Sequence, residues 1–287
     1  MIFDTFGQEF AEIACNREAF MIDFEYRETY GYKDLLDILR ILRAPGGCPW
    51  DREQTHESLK RNFLEETYEA VDAIDSGDSH ALCEELGDVL MQVVLHAQID
   101  QEQGGFTMDD VVDGVCKKLI YRHPHVFGGG MQAEDSETVL VNWEALKRSE
   151  KGQASTADAI DSVAHALPSL WRAEKIQSKA AKAGFDWPAG SAAADKLWEE
   201  AQELRRAQEA ELPPDGPHGA REEAGDLLFA AVNVVRRAGV DPEEALHSAC
   251  EKFSRRFREV ESQADRPLNQ MNSEDLAALW RRAKEQS

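Results

Sequence analysis

The stretch "FLEETYEAVDAIDSGDSHALCEELGDVL", residues 63–90, decides the fold, because it joins two amphipathic segments through a short polar turn. One segment carries an EExxE motif and the other an ExxD motif, and residues three or four positions apart share one face of an α-helix. If the two segments pack as an antiparallel helical hairpin, we expect their carboxylates to converge. The carboxylates concerned are Glu65, Glu66, Glu69, Glu85 and Asp88.

The second half of the chain repeats this arrangement. The segment "KLWEEAQEL" (196–204) is similar to "NFLEETYEA" (62–70), and "EEAGDLLFAAV" (222–232) is similar to "EELGDVLMQVV" (84–94). Basic and aromatic residues also recur in the same order, so the sequence indicates a tandem duplication. The equivalent carboxylates are Glu199, Glu200, Glu203, Glu223 and Asp226. The recurring basic and aromatic residues are Lys118, Arg122, Trp143 and Lys147 in the first half and Lys252, Arg256, Trp280 and Lys284 in the second.

Helical periodicity dominates the chain, and the alternation typical of strands is scarce. Asp78 or Ser79 is expected to cap one helix, and Asp241 followed by Pro242 is expected to begin another. The sequence therefore predicts an all-α protein. Clear helical segments cover residues 35–43, 81–99, 221–239 and 241–261.

Breaks in this periodicity divide the chain into domains. We predict an N-terminal domain over residues 33–150 and a C-terminal domain over residues 157–287. Residues 1–32 form a separate extension rich in Phe and Tyr, which is either one added amphipathic helix or a poorly ordered segment. Trp50 and Trp187 each end a glycine-containing turn and are expected to pack in the core.

Composition excludes several classes of function. The 287-residue chain carries a formal net charge of −23, which argues against a nucleic-acid partner, because polyanion binding needs clustered Lys and Arg. Its five cysteines are far apart and form no CxxC pair, so we expect a reduced, cytoplasmic protein. No apolar run approaches the ~18 residues needed to span a bilayer, so no membrane partner is expected.

The repeated carboxylates favour a metal site over a solvated acidic face. Unpaired like charges at this range repel, and a hard divalent cation such as Mg²⁺ relieves the repulsion while also taking waters and substrate phosphates as ligands. The motif occurs twice, and the helix around Asp226 is apolar apart from a narrow stripe, which points into a site. Asn233, in that stripe, either touches the substrate or a metal-bound water, or is a tolerated polar residue.

Together with "GCPWD" before them and "HPHVF" after them, these motifs resemble those of MazG-type nucleoside triphosphate pyrophosphohydrolases. The resemblance covers about residues 33 to 287, in the two-domain form of the family. It implies tandem all-α helical-bundle domains, a homodimer, and Mg²⁺ bound by carboxylates, with Mn²⁺ as a substitute. The implied reaction is hydrolysis of NTP or dNTP to NMP and pyrophosphate through water attack at the α-phosphorus, in nucleotide-pool house-cleaning or alarmone control.

The resemblance also implies residue roles. In the C-terminal domain it gives metal ligands at Glu200, Glu203, Glu223 and Asp226, with Glu199 as an additional acid that orders metal-bound water. It gives phosphate contacts at Lys196, Lys252, Arg256 and Lys284, and a nucleoside contact at Trp280. In the N-terminal domain it gives metal ligands at Glu66, Glu69, Glu85 and Asp88, with a second site completed by Glu65, Lys118, Arg122, Trp143 and Lys147. Because two-domain members are associated with C-terminal catalysis, we expect Glu203→Gln to abolish turnover and Glu69→Gln only to weaken it.

Two alternative functions stay open. One is a non-catalytic nucleotide-binding or regulatory module. The other is a di-iron carboxylate bundle, for which Glu53-x-x-His56 and Glu244-x-x-His247 have suitable spacing but do not correspond to each other in the duplication. The chain has no GxxxxGK[ST] motif, so a P-loop mechanism is excluded. The preferred nucleotide stays open among standard NTPs, dNTPs, damaged nucleotides and guanosine alarmones.

Overall fold

The structure, a computed structural model, describes residues 24–128, 135–150, 152–187 and 192–285, and their regular structure is helical throughout. This confirms the prediction of an all-α protein. None of the described helices is long and apolar enough to cross a membrane. The helices are α1 (Tyr32–Arg43), α2 (Pro49–Glu53), α3 (Lys60–Ser76), α4 (Ser79–Glu102), α5 (Met108–Arg122), α6 (Pro124–Phe127), α7 (Ser136–Glu150), α8 (Thr156–Asp161), α9 (Ser169–Lys182), α10 (Ala192–Glu209), α11 (Ala220–Arg237), α12 (Pro242–Gln263) and α13 (Ser273–Glu285), with one 3-10 turn at Leu268–Gln270.

The chain forms two compact units, one up to Val139 and the other from Leu140. Helix α7 therefore crosses the division between the units, whereas the predicted domain boundary lies after α7. The predicted domain limits stay a prediction. Most of the predicted N-terminal extension, residues 1–23, lies outside the described residues.

The first unit is built on the α3–α4 hairpin that the sequence predicts. Gly77 ends α3 with a φ of 70°, a left-handed conformation that glycine adopts without the steric cost of a Cβ atom. Asp78 then caps α4 by accepting hydrogen bonds from the backbone N–H groups of His80 and Ala81 at 2.9 and 3.2 Å. The hairpin buries its apolar side against α1. The buried core consists of Leu39, Leu59, Val94, Leu95 and Ile99.

Polar contacts hold the segment before α3 against the end of α4. The Nδ1 atoms of His56 and His96 are 2.8 Å apart, and their rings stack with centroids separated by 5.1 Å. On its other side, His56 Nε2 lies 3.6 Å from Asp100 Oδ1. Asp100 Oδ2 also accepts a hydrogen bond from the Phe106 backbone N–H, which fixes the loop after α4. These contacts join the segment before α3 to α4 and to the loop that follows α4.

The second unit contains the equivalent α10–α11 hairpin and a further pair, α12 and α13. Asp241 caps α12 by accepting hydrogen bonds from the N–H groups of Glu243 and Glu244, and Pro242 is the first helical residue, as predicted. Helices α12 and α13 bury a small core. Its fully buried members are Val260, Leu279 and Ala283, and Trp280 packs against it.

The prediction that Trp50 and Trp187 are core anchors is wrong for both residues. The exposed fractions are 57% for Trp50 and 44% for Trp187. In both turns the structure holds the tryptophan backbone: the Trp50 carbonyl accepts from Gln54 Nε2, and the Trp187 carbonyl accepts from the Arg237 guanidinium. Neither bond requires the indole ring to be buried.

The histidine pair predicts a specific dependence of stability on pH. Burial, followed by the charge of His56, lowers the pKa of His96 below its ordinary value of 6.5. Below about pH 6.5 the unfolded chain therefore binds a proton that folded His96 resists, and the free energy of unfolding falls as the pH decreases. We expect His96→Gln to reduce this fall in urea unfolding curves at pH 8 and pH 5.5. Parallel pH profiles for the two proteins would contradict the prediction.

Candidate metal centres

The first unit brings together three of its four predicted metal ligands. Carboxylate oxygens of Glu66, from α3, and of Glu85 and Asp88, from α4, all lie within 4.8 Å of one another. Glu69 is exposed and does not belong to this group, although its charge acts on both Glu66 and Glu85. Glu65, on the neighbouring face, forms a salt bridge with Arg61 at 2.8 Å.

Burial and electrostatic repulsion raise the pKa values of two carboxyl groups in this first group. Burial raises the pKa of Glu66 above the ordinary value, and the nearby charges of Asp88, Glu69 and Glu85 raise it further. Burial and the same type of repulsion raise the pKa of Glu85. The group therefore resists full ionisation when no cation is present.

Sequence reasoning missed Gln92, which belongs to this first group. The Gln92 side chain hydrogen-bonds to Glu66 and favours its ionised form. Gln92 is only 3% exposed, and its Oε1 atom is buried without a hydrogen-bond partner within the described part of the chain. Because Gln92 follows Asp88 by four residues on α4, helical spacing contains the signal that identifies it.

The second unit gathers a different selection of the equivalent carboxylates. Oxygens of Glu200 and Glu203, from α10, and of Glu223, from α11, all lie within 4.8 Å of one another. Glu200 and Glu223 are each only 6% exposed. Asp226, one turn beyond Glu223, is exposed and does not join this group. Each unit thus groups three of its four predicted ligands, and the fourth lies outside the group.

Cationic side chains accompany the second group. Lys196 Nζ lies 2.6 Å from Glu200 and 3.1 Å from Glu199, and its hydrogen bond to Glu200 raises the pKa of Lys196. An Arg206 nitrogen lies 3.4 Å from Glu203. In this structure Lys196 therefore contacts carboxylates of the second unit. The resemblance implied that Lys196 contacts a phosphate, and this role stays a prediction.

His218 is a further residue that sequence reasoning missed. Its Nδ1 atom lies 3.4 Å from Glu223 Oε1, and its backbone N–H donates to Glu222 at 2.7 Å. The residue has a φ of 55°, which is uncommon for a non-glycine residue. It lies in the loop between α10 and α11, where no helical spacing reveals its contact.

Apart from Lys196, the predicted phosphate and nucleoside contacts lie on a separate helix pair. Lys252 and Arg256 are four residues apart on α12, and Trp280 and Lys284 are four apart on α13. The Lys284 ammonium lies 5.9 Å from the centre of the Trp280 ring. Within the described part of the chain, neither Lys252 nor Lys284 forms a salt bridge with the second carboxylate group.

Asn233 is buried, in contrast to exposed Asp226 one heptad earlier on α11. Its Oδ1 atom has no hydrogen-bond partner among the described residues. One turn before Asn233, the Phe229 carbonyl accepts a hydrogen bond of 2.8 Å from Gln177 of α9. A role for Asn233 at the substrate stays a prediction.

The basic and aromatic residues predicted for the first site are distributed between the two units. Lys118 is exposed on α5, and Arg122, at the end of that helix, is buried. Trp143 and Lys147 lie on the part of α7 that belongs to the second unit, where the Lys147 ammonium is 4.9 Å from the Trp143 ring centre. Their assignment to one nucleotide site stays a prediction.

Both carboxylate groups consist of oxygen donors alone. His56, which belongs to one of the Glu-x-x-His motifs, contacts His96 and Asp100 instead of either group. Di-iron bundles combine glutamates with histidines in one core, whereas Mg²⁺ and Mn²⁺ take carboxylate and water ligands. The fold and the donor set thus define an all-α protein with two similar hairpins, each suited to a hard divalent cation.

Comparison with known proteins gives the family. Residues 54–127 and 190–260 both match the MazG nucleotide pyrophosphohydrolase domain. The chain is 41% identical over 256 residues to the nucleoside triphosphate pyrophosphohydrolase/pyrophosphatase MazG of Thermotoga maritima, covering 88% of this chain and 95% of that protein. It is 44% identical to the nucleoside triphosphate pyrophosphohydrolase of Escherichia coli K12, with 88% and 96% covered. The chain belongs to the MazG nucleotide pyrophosphohydrolase family, with its domain present twice.

A further relative is longer than this chain. The uncharacterized protein YabN of Bacillus subtilis is 47% identical over 251 residues, which cover 86% of this chain and 50% of YabN. A region similar to most of this chain therefore also occurs as part of a longer protein.

The contact between Lys196 and Glu200 predicts competition with metal ions. In a chain that carries Glu66→Gln to weaken the first group, we expect Lys196→Met to raise the Mn²⁺ affinity of the second group about five- to tenfold, because the ammonium no longer occupies Glu200. Isothermal titration calorimetry measures this affinity. The exposed Lys60, which pairs with Glu57, gives the matched control Lys60→Met, and equal affinities in the two variants would contradict the prediction.

Proposed function

We propose that the protein hydrolyses nucleoside and deoxynucleoside triphosphates to the monophosphate and pyrophosphate, using Mg²⁺ held in the second unit. The observation that carries this proposal is the close grouping of Glu200, Glu203 and Glu223, two of which are buried. The relatives from Thermotoga maritima and Escherichia coli are named for this type of reaction, and both are covered over almost their whole length.

The donor set fits a divalent cation. Three carboxylates within 4.8 Å carry up to three negative charges, and in the similar first group burial and repulsion raise the pKa values of Glu66 and Glu85. Glu200, Glu203 and Glu223 are proposed to hold Mg²⁺, or Mn²⁺ in its place, with Asp226 as an additional ligand. When bound, the ion supplies Lewis acidity to the phosphoryl oxygens and lowers the pKa of water.

The remaining residues act on water and on the phosphate chain. Glu199 is proposed to orient the water that attacks the α-phosphorus and to accept its proton at a carboxylate oxygen. A bond forms between the water oxygen and the α-phosphorus, and the bond from this phosphorus to the oxygen that bridges to the β-phosphate breaks. Pyrophosphate leaves with that bridging oxygen. The charge of the phosphates is neutralised by Lys196, Lys252, Arg256 and Lys284, and Trp280 contacts the nucleoside.

The first unit is proposed to act as a nucleotide-binding module with weaker turnover or none. Asn62 occupies the position that corresponds to Lys196, so the first group has no ammonium at this place. Glu69, the counterpart of Glu203, does not belong to the first group. The missing ammonium reduces its ability to hold a phosphate, and the absence of Glu69 from the group reduces its ability to hold an ion.

We also propose that the protein forms a homodimer through the helix hairpins. Leu64, Tyr68 and Val71 follow one another at helical spacing on α3, and all three are exposed in the single chain. On α11 of the second unit, Leu228 and Phe229 are likewise exposed. Apolar stripes on helices that already bury another face are typical of interfaces between identical subunits. Sedimentation equilibrium that gives only monomer at micromolar concentration would contradict this proposal.

The proposed reaction is tested by product analysis of a nucleotide panel with and without Mg²⁺. We expect nucleoside monophosphate and pyrophosphate, and we expect Glu203→Gln to lower kcat/KM by at least about a hundredfold, because it removes a charged member of the second group. The matched variant Glu69→Gln, at the equivalent position of the first unit, is expected to lower it less than about tenfold.

Three outcomes would contradict the proposal. Release of nucleoside diphosphate and inorganic phosphate would show that a different bond is cleaved. A larger effect of Glu69→Gln than of Glu203→Gln would place the chemistry in the first unit. Nucleotide binding without Mg²⁺-dependent cleavage would favour a purely regulatory module.

A further inference from the structure

A lysine-rich cavity lies in the second unit, apart from the carboxylate groups. Its volume is about 540 Å³, which lies within the range of small-molecule sites, and its walls come from α7, α8, α9 and the segments that join them. No member of either carboxylate group lines it. The lysines of its lining are Lys147, Lys175, Lys179 and Lys182.

Three of these lysines share one face of α9. Lys175, Lys179 and Lys182 are spaced by four and three residues, so their side chains follow a single helical stripe along the cavity. Ammonium groups gathered in this way repel one another unless an anion lies between them. In a chain with a net charge of −23, such a concentration of positive charge is unexpected from composition.

The carboxylates of the cavity neutralise only part of this charge. Glu144 forms a salt bridge of 2.7 Å with Lys182, and this hydrogen bond lowers the pKa of Glu144, with further contributions from the charges of Lys179 and Lys147. Glu174 accepts a hydrogen bond from Ser178 Oγ. Among the lining residues, four lysines against two glutamates leave two positive charges in excess, and the charge of Asp241, outside the lining, also interacts with Lys175.

Lys175 and Lys179 are the lysines with capacity for an added anion. Within the described residues, neither forms a salt bridge with a carboxylate at 4 Å or less. The hydroxyl groups of Thr156, Ser162 and Ser178 also line the cavity and add hydrogen-bonding groups of the type that phosphate oxygens use.

We propose that this cavity binds the diphosphate or triphosphate chain of pyrophosphate or of a nucleotide, without requiring a metal ion. The excess of two charges matches a ligand with several negative charges in a short chain better than a single carboxylate. The proposal does not rest on the hydrolysis proposed for the second unit, because none of the residues proposed for that reaction lines the cavity and the carboxylate groups repel phosphate when no cation is bound. Lys147 is shared only with the predicted nucleotide site of the first unit.

The experiment is isothermal titration of the full-length protein with pyrophosphate in metal-free buffer of low ionic strength, which limits binding at the carboxylate groups. We expect one pyrophosphate per chain. We expect Lys175→Gln and Lys179→Gln each to weaken binding about tenfold, because each removes a charge-assisted hydrogen bond. Glu144→Gln should instead strengthen binding several-fold, because it removes a competing negative charge; a protein that is merely misfolded would not bind more tightly.

Two control variants localise the effect. Lys117→Gln removes an exposed lysine of α5, which is paired with Asp113, and should leave binding unchanged. Glu203→Gln should also leave pyrophosphate binding in metal-free buffer unchanged. Because the same substitution is expected to lower the rate of hydrolysis strongly, failure of the hydrolysis proposal and failure of this proposal are distinguishable. Equal pyrophosphate affinity in the wild-type protein and the two cavity lysine variants, or no binding without metal, would overturn the proposal.

The same titration separates the sources of the phosphate chain. Pyrophosphate and ATP should both bind more tightly than AMP, because the chain of linked phosphates is the recognised group. AMP binding as tight as pyrophosphate binding would overturn the proposal, since a single phosphate or the nucleoside would then be sufficient.

Discussion

Repulsion between carboxylates that a helical hairpin brings within 4.8 Å is the constraint on which this structure depends. A two-helix hairpin places residues of one helix opposite those of the next, so acidic residues at helical spacing meet whether or not a cation is bound. The raised pKa values of Glu66 and Glu85 show that the folded state opposes their ionisation. The turn at Gly77 and Asp78 and the apolar core behind α4 hold the hairpin together against this repulsion.

The two units reduce the repulsion by different means. In the first unit Glu66 receives a hydrogen bond from the neutral Gln92 side chain, which stabilises charge without supplying any. In the second unit the positive groups of Lys196 and Arg206 contact Glu200 and Glu203 directly. Entry of a divalent cation into the second group would therefore release the Lys196 ammonium from Glu200. In the proposed reaction, the released ammonium is beside the site where the phosphate chain binds.

The sequence predicts the helices well because periodicity and capping are local properties. The Asp78 and Asp241 caps, the duplication and the convergence of each hairpin all follow from spacing. Spacing does not show which carboxylates belong to each group. Asp88 follows Glu85 and Asp226 follows Glu223 by the same three residues, about 60° around the helix axis, so spacing alone cannot decide that Asp88 joins its group and Asp226 does not. The exposure of Trp50 and Trp187 likewise depends on neighbours that a turn motif does not specify.

Contacts that do not run along a single helix were beyond prediction for a different reason. His218 reaches Glu223 from a loop, and the cavity brings Lys147 of α7 to the lysine stripe of α9, so neither contact has a periodic signature. Helical spacing does predict the Lys196–Glu200 pair, which is four residues apart on one helix. The sequence therefore identifies the elements of the candidate site, while tertiary packing decides which side chains meet.

The separation of acidic and basic groups has a physical reason. Salt screens exposed charges beyond about 8 Å under physiological conditions, so the net charge of −23 matters less to an approaching phosphate than the groups within that distance. An ammonium beside the carboxylates is partly neutralised by them, as Lys196 is by Glu200. Lys175 and Lys179 on α9 and Lys252 on α12 are not paired with the second carboxylate group, which lies on α10 and α11, although Lys182 on α9 is paired with Glu144. One acidic chain can thus offer two kinds of phosphate recognition, one that needs a cation and one that does not.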